Sequence, residues 1–173
     1  MIRHRRLLAA ISLMVLSTGS VWCQDQAQDP CSSPKSHQFD FWIGDWDVTA
    51  QGNTAGINRI HPIANGCVLL EQWEGAAGVH GASMNFYNPT TGQWHQFWVW
   101  QNGTTLPMLS GEYRDGKMVL EGEQTAKDGQ SVHMRITWYD NPDGSVRQHW
   151  ETSRDGRQTW KTNFDGLYRK RMD

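Results

Sequence analysis

The chain has no long hydrophobic run, few cysteines and almost no clustering of basic residues, and each shortage removes a class of function. Its longest apolar stretch, Leu7 to Leu16, spans ten residues, about half of the roughly 20 that cross a bilayer as a helix. No transmembrane segment is expected. Arg169-Lys170-Arg171 is the one basic cluster and lies at the C-terminus, where it reads as a frayed tail. Nucleic acid is therefore not an expected partner, because phosphate binding needs clustered Lys and Arg. There is no G-x-S-x-G nucleophile elbow. The serines nearest a histidine, such as Ser131 before His133, fall within an ordinary strand pattern.

The histidines also lack metal-ligand spacing. His37, His61, His80, His95, His133 and His149 include no H-x-H or H-x-x-x-H pair and no neighbouring cysteine pair. Convergence of His95, His133 and His149 from separate strands is the one arrangement that would give a metal site. Surface positions explain scattered histidines as well, so neither metal nor cofactor is expected.

What is present begins with residues 1–23. Arg3, Arg5 and Arg6 precede the apolar run, and Ser17 to Ser20 follow it, the layout of a cleavable signal peptide. A lipid anchor on Cys23 competes with cleavage, and the bulky Trp22 before it argues against the anchor. Removing this segment leaves 13 basic against 18 acidic residues, a net charge of −5. It also leaves two cysteines, Cys31 and Cys67, an even pair suited to an oxidising compartment. The expectation is a periplasmic or secreted protein with a Cys31–Cys67 disulfide; two buried free thiols are the alternative. The remaining ~150 residues suit one domain. Residues 24–35 read as a flexible leader and residues 36–173 as the folded domain.

Within that domain, Ser36 to Gly44 does not alternate and reads as a short helical turn capped by Ser36. Beyond it, runs rich in Val, Ile, Thr and aromatics alternate with turn clusters such as Asp115-Gly116 and Asn141-Pro142-Asp143-Gly144, the pattern of hairpin-linked strands. Ten strands fit, from Trp46–Ala50 to Gln158–Arg169. So many short hairpins in a small domain leave exposed edges unless the sheet closes. The expected fold is all-β, a single antiparallel up-and-down barrel of about ten strands, with a two-sheet sandwich as runner-up.

Gly44-x-Trp46 after a helical turn resembles the N-terminal signature of lipocalins and other calycins. That resemblance implies that Trp46 closes the barrel base and that Arg169 stacks across it. The longer pattern begins with Phe39-Asp40-Phe41-Trp42-x-Gly44-x-Trp46-x-Val48 and continues through Gly66-Cys67, Glu71, Trp73, Trp94 and Trp98. It ends at Asp155-Gly156, Trp160 and Phe164-Asp165-Gly166. This resembles a family of exported bacterial domains of unknown function and covers nearly all of the chain after residue 23. It implies a lipocalin-like barrel and no established activity. Nitrobindin-like haem barrels are a more distant comparison, in which His149 would ligate iron; Val48 stands where their start pattern has a second glycine.

The strand faces then point to a site. On Gly81–Asn88, Ala82, Met84 and Phe86 share one face and Ser83, Asn85 and Tyr87 the other; on Gln93–Gln101, Trp94, Gln96, Trp98 and Trp100 share a face. A packed core would show a cleanly apolar face, whereas a small-molecule site combines aromatic walls with a few placed polar groups. Glu71, Trp73, Ser83, Asn85, Tyr87, Gln96, Trp98, Arg135 and Gln148 are accordingly expected in the lumen, with Glu71 paired to Arg135. The alternative is that this set faces solvent or forms a structural network. Binding of a small, partly apolar molecule is the leading functional expectation. A small isomerase- or cyclase-like enzyme using Glu71, Tyr87 and Arg135, and an interaction module with a filled barrel, are the others.

Overall fold

The computed structural model describes residues 31–172. The expected signal peptide, the question of Cys23 and residues 24–30 of the expected leader lie outside them. Two short 3-10 turns, Pro34–His37 and Asp40–Trp42, lead into ten strands. These are β1 (Gly44–Ala50), β2 (Asn53–Ile63), β3 (Val68–Gly75), β4 (His80–Asn88) and β5 (Gln93–Trp100), then β6 (Leu109–Arg114), β7 (Lys117–Thr125), β8 (Ser131–Asp140), β9 (Val146–Ser153) and β10 (Lys161–Lys170). Each strand pairs antiparallel with its neighbours in sequence, and β1 pairs with β10, so the sheet closes into a barrel. The sandwich expectation is thereby excluded. Closure follows from local chemistry: Asp115 and Gly116 both adopt positive φ, 51° and 73°, the two-residue turn that sets Arg114 opposite Lys117.

The N-terminal turn differs from expectation. Its cap is Ser33, whose Oγ accepts from the Ser36 backbone N–H at 3.3 Å, and it begins at Pro34. Proline suits this first position because the helix has no use there for the missing N–H. Pro34 and Lys35 thus belong to the turn and not to the leader.

The second turn drives Phe39 and Trp42 into one end of the barrel, where both are fully buried. Phe39 stacks on Trp42 with centroids 4.9 Å apart and meets Trp138 at 5.1 Å and Trp94 edge-on at 5.6 Å. Trp46 Nε1 donates to the Trp42 carbonyl at 2.9 Å, and Trp94 Nε1 donates to the Lys35 carbonyl at 3.1 Å. The plug is therefore both packed and hydrogen-bonded. A Cys31–Cys67 disulfide, with Cα atoms 5.1 Å apart, ties the arm to the β2–β3 turn. Closing that loop contributes about 4 kcal/mol in the chain-entropy model.

The cation over Trp46 is Lys170, with Nζ 4.0 Å from the ring centroid, and not the expected Arg169. The register explains the correction: Lys170 lies opposite Trp46, while Arg169 lies opposite the outward-facing Asp47. Gly44 is required here, since its φ is 139° and the Lys170 side chain crosses the space a Cβ would fill.

Candidate functional site

Cross-strand register sorts the side chains. Residues directly opposite one another share a face, so the buried Trp46 and Val48 carry Asn58 and Gly56 inward with them, and through these Trp73 and Gly75. Continued around the barrel, eight of the nine expected lumen residues point inward: Glu71, Trp73, Ser83, Asn85, Tyr87, Gln96, Trp98 and Gln148.

Arg135 is the exception. On β8 the inward positions are Val132, Met134, Ile136 and Trp138, so Arg135 points out. There its guanidinium donates to Glu151 Oε2 at 3.0 and 3.2 Å, faces Glu121 at 3.9 Å and lies 4.1 Å from the Trp160 ring centroid. The expected Glu71–Arg135 pair does not form. Tyr87 faces inward but packs toward the plugged end, 6.2 Å from Trp94. The Glu71, Tyr87 and Arg135 constellation proposed for an enzyme is therefore not assembled.

The remaining inward set forms two layers. Glu71 is 2% exposed. Its Oε1 accepts from Asn58 Nδ2 at 2.8 Å and its Oε2 from Ser83 Oγ at 2.5 Å. Asn85 Nδ2 donates to Ser83 Oγ at 2.8 Å, and Gln96 Nε2 donates to Asn85 Oδ1 at 3.0 Å. Desolvation by burial pushes the Glu71 carboxyl up to about 7, against the lowering effect of the Ser83 and Asn58 hydrogen bonds. With no countercharge inside, the acid is accommodated by hydrogen bonding and a raised proton affinity.

A cavity of about 190 Å³ adjoins this network. Glu71, Gln96, Gln148 and Tyr168 supply its polar surface, and Trp73, Trp98, Trp100, Trp150 and Phe164 its aromatic wall. Val79 and Leu106 reach it from the β3–β4 and β5–β6 connections, opposite the plug. Val79 is 45% exposed, so the cavity meets solvent at that end. Tyr168 forms the partition: its ring lies edge-on to Trp42 and Trp46 at 6.4 and 6.3 Å, and its hydroxyl donates to Gln148 Oε1. Burial pushes this phenol well above its ordinary value, with the Glu71 charge acting in the same direction. A second, more polar hollow of about 500 Å³ adjoins at Asn163 and includes Arg154, Thr159 and Lys161.

Glycines make the aromatic wall possible. A Cβ on Gly81 would fall 2.3 Å from the Trp98 ring, one on Gly56 2.8 Å from the Trp73 ring, and one on Gly166 2.4 Å from the Phe164 ring. Each ring covers the backbone of an inward-facing glycine and lines the cavity; Trp98 also meets Trp100 edge-on at 4.9 Å, and Trp73 meets Phe164 edge-on at 6.1 Å. Trp98 Nε1 and Trp150 Nε1 are buried and have no hydrogen-bond partner among the described residues.

Sequence reasoning missed Trp150, Phe164, Tyr168 and Asn58 as parts of the site. Alternation from Gln148 reaches Trp150, and alternation from Trp46 reaches Tyr168 by register. Alternation from Tyr168 through Gly166 reaches Phe164, and the bulge between Thr162 and Phe164 lies beyond it. The three histidines considered for metal or haem point outward: His95 bonds Ser110 at 2.8 Å, His133 faces Glu123 at 3.3 Å and His149 bonds Thr162 at 3.0 Å. Among the described residues no group of three or more His, Cys, Asp or Glu is placed to hold a metal ion.

Compared with known proteins, the chain matches no family model and no curated sequence. The geometry thus has to argue for itself. The disulfide fits an oxidising compartment, and no helix among the described residues is long and apolar enough to cross a membrane.

Proposed function

We propose that this protein is an exported barrel that binds a small, partly apolar molecule in its lumen. The observation behind this reading is one buried carboxylate, Glu71, on the wall of an otherwise aromatic cavity. A purely structural lumen has no use for it: desolvating an acid is costly, and a packed apolar core of similar volume would be at least as stable. Aromatic walls with few polar groups match what small-molecule sites require. The cavity also speaks against the filled-barrel interaction module. Placement within the exported lipocalin-like family rests on the Phe39-to-Val48 pattern, and the ten-strand closure supports it.

The test is intrinsic fluorescence, because Trp73, Trp98, Trp100 and Trp150 all line the cavity. A panel of small hydrophobic and amphiphilic compounds should include several that quench saturably, and native mass spectrometry of gently purified protein should find a bound small molecule. Gly81→Ala drives the Trp98 ring into the lumen and should weaken any lumen ligand at least about tenfold, at a folding cost of about 1–3 kcal/mol. Unchanged affinity in that variant places the ligand outside the lumen and defeats the reading.

A further inference from the structure

The chemistry of the wall narrows the ligand class; this step rests on the lumen-binding reading above. Cations lie everywhere but in this cavity. Arg135 and Arg147 point outward onto Glu151 and Asp165, and Lys170 lies beyond the partition on Trp46. Arg154 and Lys161 line the neighbouring hollow, where Arg154 pairs with Asp128 at 3.2 Å. Among the described residues, the only ionisable side chains lining the cavity itself are Glu71 and Tyr168. A carboxylate or phosphate ligand would therefore meet an acid and no countercharge. A neutral ligand would leave an ionised Glu71 with its hydrogen bonds from Asn58 and Ser83 and no countercharge.

Both costs disappear with a positive ligand. The negative face of an aromatic ring attracts cations, most strongly for tryptophan, and the attraction rises when water is excluded. Here the Trp73, Trp98 and Phe164 rings cover inward-facing glycines and line the cavity. A volume of about 190 Å³ is below the ~300–1,000 Å³ of sites for drug-sized molecules, so the ligand is a compact head group and not a long acyl chain. We propose that the lumen takes a small organic cation, an alkyl- or quaternary-ammonium group, boxed by the indole faces and opposed by the Glu71 carboxylate.

The groups facing Glu71 are Asn58 from β2, Ser83 from β4, Gln96 from β5, Gln148 from β9 and Tyr168 from β10. Tyr168 alone among them titrates, and burial keeps its proton on throughout the neutral range. Glu71 is therefore the single group whose ionisation a bound cation senses near neutrality.

Three probes of similar bulk separate the possibilities: choline, its uncharged carbon isostere neohexyl alcohol, and the anion pivalate, each titrated against tryptophan fluorescence and by calorimetry. Choline should bind at least about tenfold more tightly than neohexyl alcohol, and pivalate should not bind. Choline carries no group that titrates near neutrality, so its affinity should rise as pH increases toward about 7, where Glu71 ionises, and level off above. Glu71→Gln should erase both the preference and the pH dependence, with the circular dichroism spectrum confirming a folded barrel. Equal or tighter binding of neohexyl alcohol or pivalate overturns the cation inference and leaves lumen binding standing. Failure of all three probes also overturns it, and failure of the wider hydrophobic panel as well removes lumen binding.

Discussion

The two ends of this barrel are built from the same residue type used in opposite ways. At the plugged end, Trp42, Trp46, Trp94 and Trp138 are buried against one another, Phe39 and Tyr168. At the open end, Trp73 and Trp98 lie against glycines and line a hollow; each end leaves two indole N–H groups without a partner among the described residues, Trp42 and Trp138 at the plug and Trp98 and Trp150 at the hollow. Tryptophan at the first end is filling; at the second it is surface facing a hollow. The difference is in what stands opposite each ring. At the plug the rings meet one another across the barrel interior and close it; at the open end Trp98 meets Trp100 and Trp73 meets Phe164 along the wall, backed by glycines, and the middle stays hollow. A protein selected only for stability would have packed both ends alike.

The largest expected effect breaks this contrast directly. Trp138→Ala removes a ring that contacts both Phe39 and Trp42 and should cost about 3–5 kcal/mol in urea unfolding. Trp100→Ala removes a partly buried ring on the cavity side and should cost less than half as much. Equal losses would mean that both ends are structural, and the contrast would fail.

Much of that contrast was legible in the chain. On β4, Ser83, Asn85 and Tyr87 alternate with Ala82, Met84 and Phe86; the polar-bearing face points inward, while Met84 is 46% exposed. A strand that turns its hydroxyl and amide to the interior announces a lumen with chemistry in it. The plug was equally plain in Phe39-Asp40-Phe41-Trp42, because rings spaced so closely cannot all stay in water. Arg135 misled because a buried acid invites a search for a countercharge, and that search overrode the apolar alternation Val132, Met134, Ile136, Trp138 on its own strand. Arg169 misled by one residue, which in a strand is a change of face. Phe164 was missed for the same reason, since it shares the parity of Gly166 and Tyr168, opposite to that of Arg169.

A middle-sized effect sharpens the contrast through pH. Burial pushes the Glu71 carboxyl from its ordinary 4.5 up to about 7 in the folded protein. As pH rises from about 4.5 to 7 the unfolded chain ionises while the folded one keeps its proton. The associated stability is full below that window and lost across it, by about 3 kcal/mol. Asp143, Asp155 and Asp165 are shifted the other way, by hydrogen bonds from Ser145, Thr159 and Arg147 respectively. Their contribution is present near neutrality and is lost as pH falls through the acidic range. Stability should therefore peak on the acidic side of neutrality. Glu71→Gln should flatten the limb between 4.5 and 7 and leave the variant more stable than the parent at pH 8. Superimposable pH profiles for the two proteins would show that Glu71 is ionised in the empty barrel and would remove the argument that a ligand is needed to balance it.

The smallest effect concerns a cation–aromatic contact the molecule already contains. Lys170 Nζ stands 4.0 Å from the Trp46 ring centroid and donates to the Ile43 carbonyl; partial burial lowers its proton affinity, against the pull of Asp45. Lys170→Met keeps the apolar stem over the indole and removes the ammonium, with its charge and its hydrogen bond to the Ile43 carbonyl, so it should cost about 1–2 kcal/mol. Arg169→Ala, one residue away on the opposite face, should stay within about 0.5 kcal/mol of the parent. A reversal of that order would mean that the β1–β10 register is displaced by one residue, which would also turn Tyr168 away from Gln148 and dissolve the partition between the two ends. The measured order thus tests more than a surface contact. At the plugged end the chain supplies both ring and cation, so that contact is permanent; at the open end it supplies rings and an acid, and a cation has to come from outside.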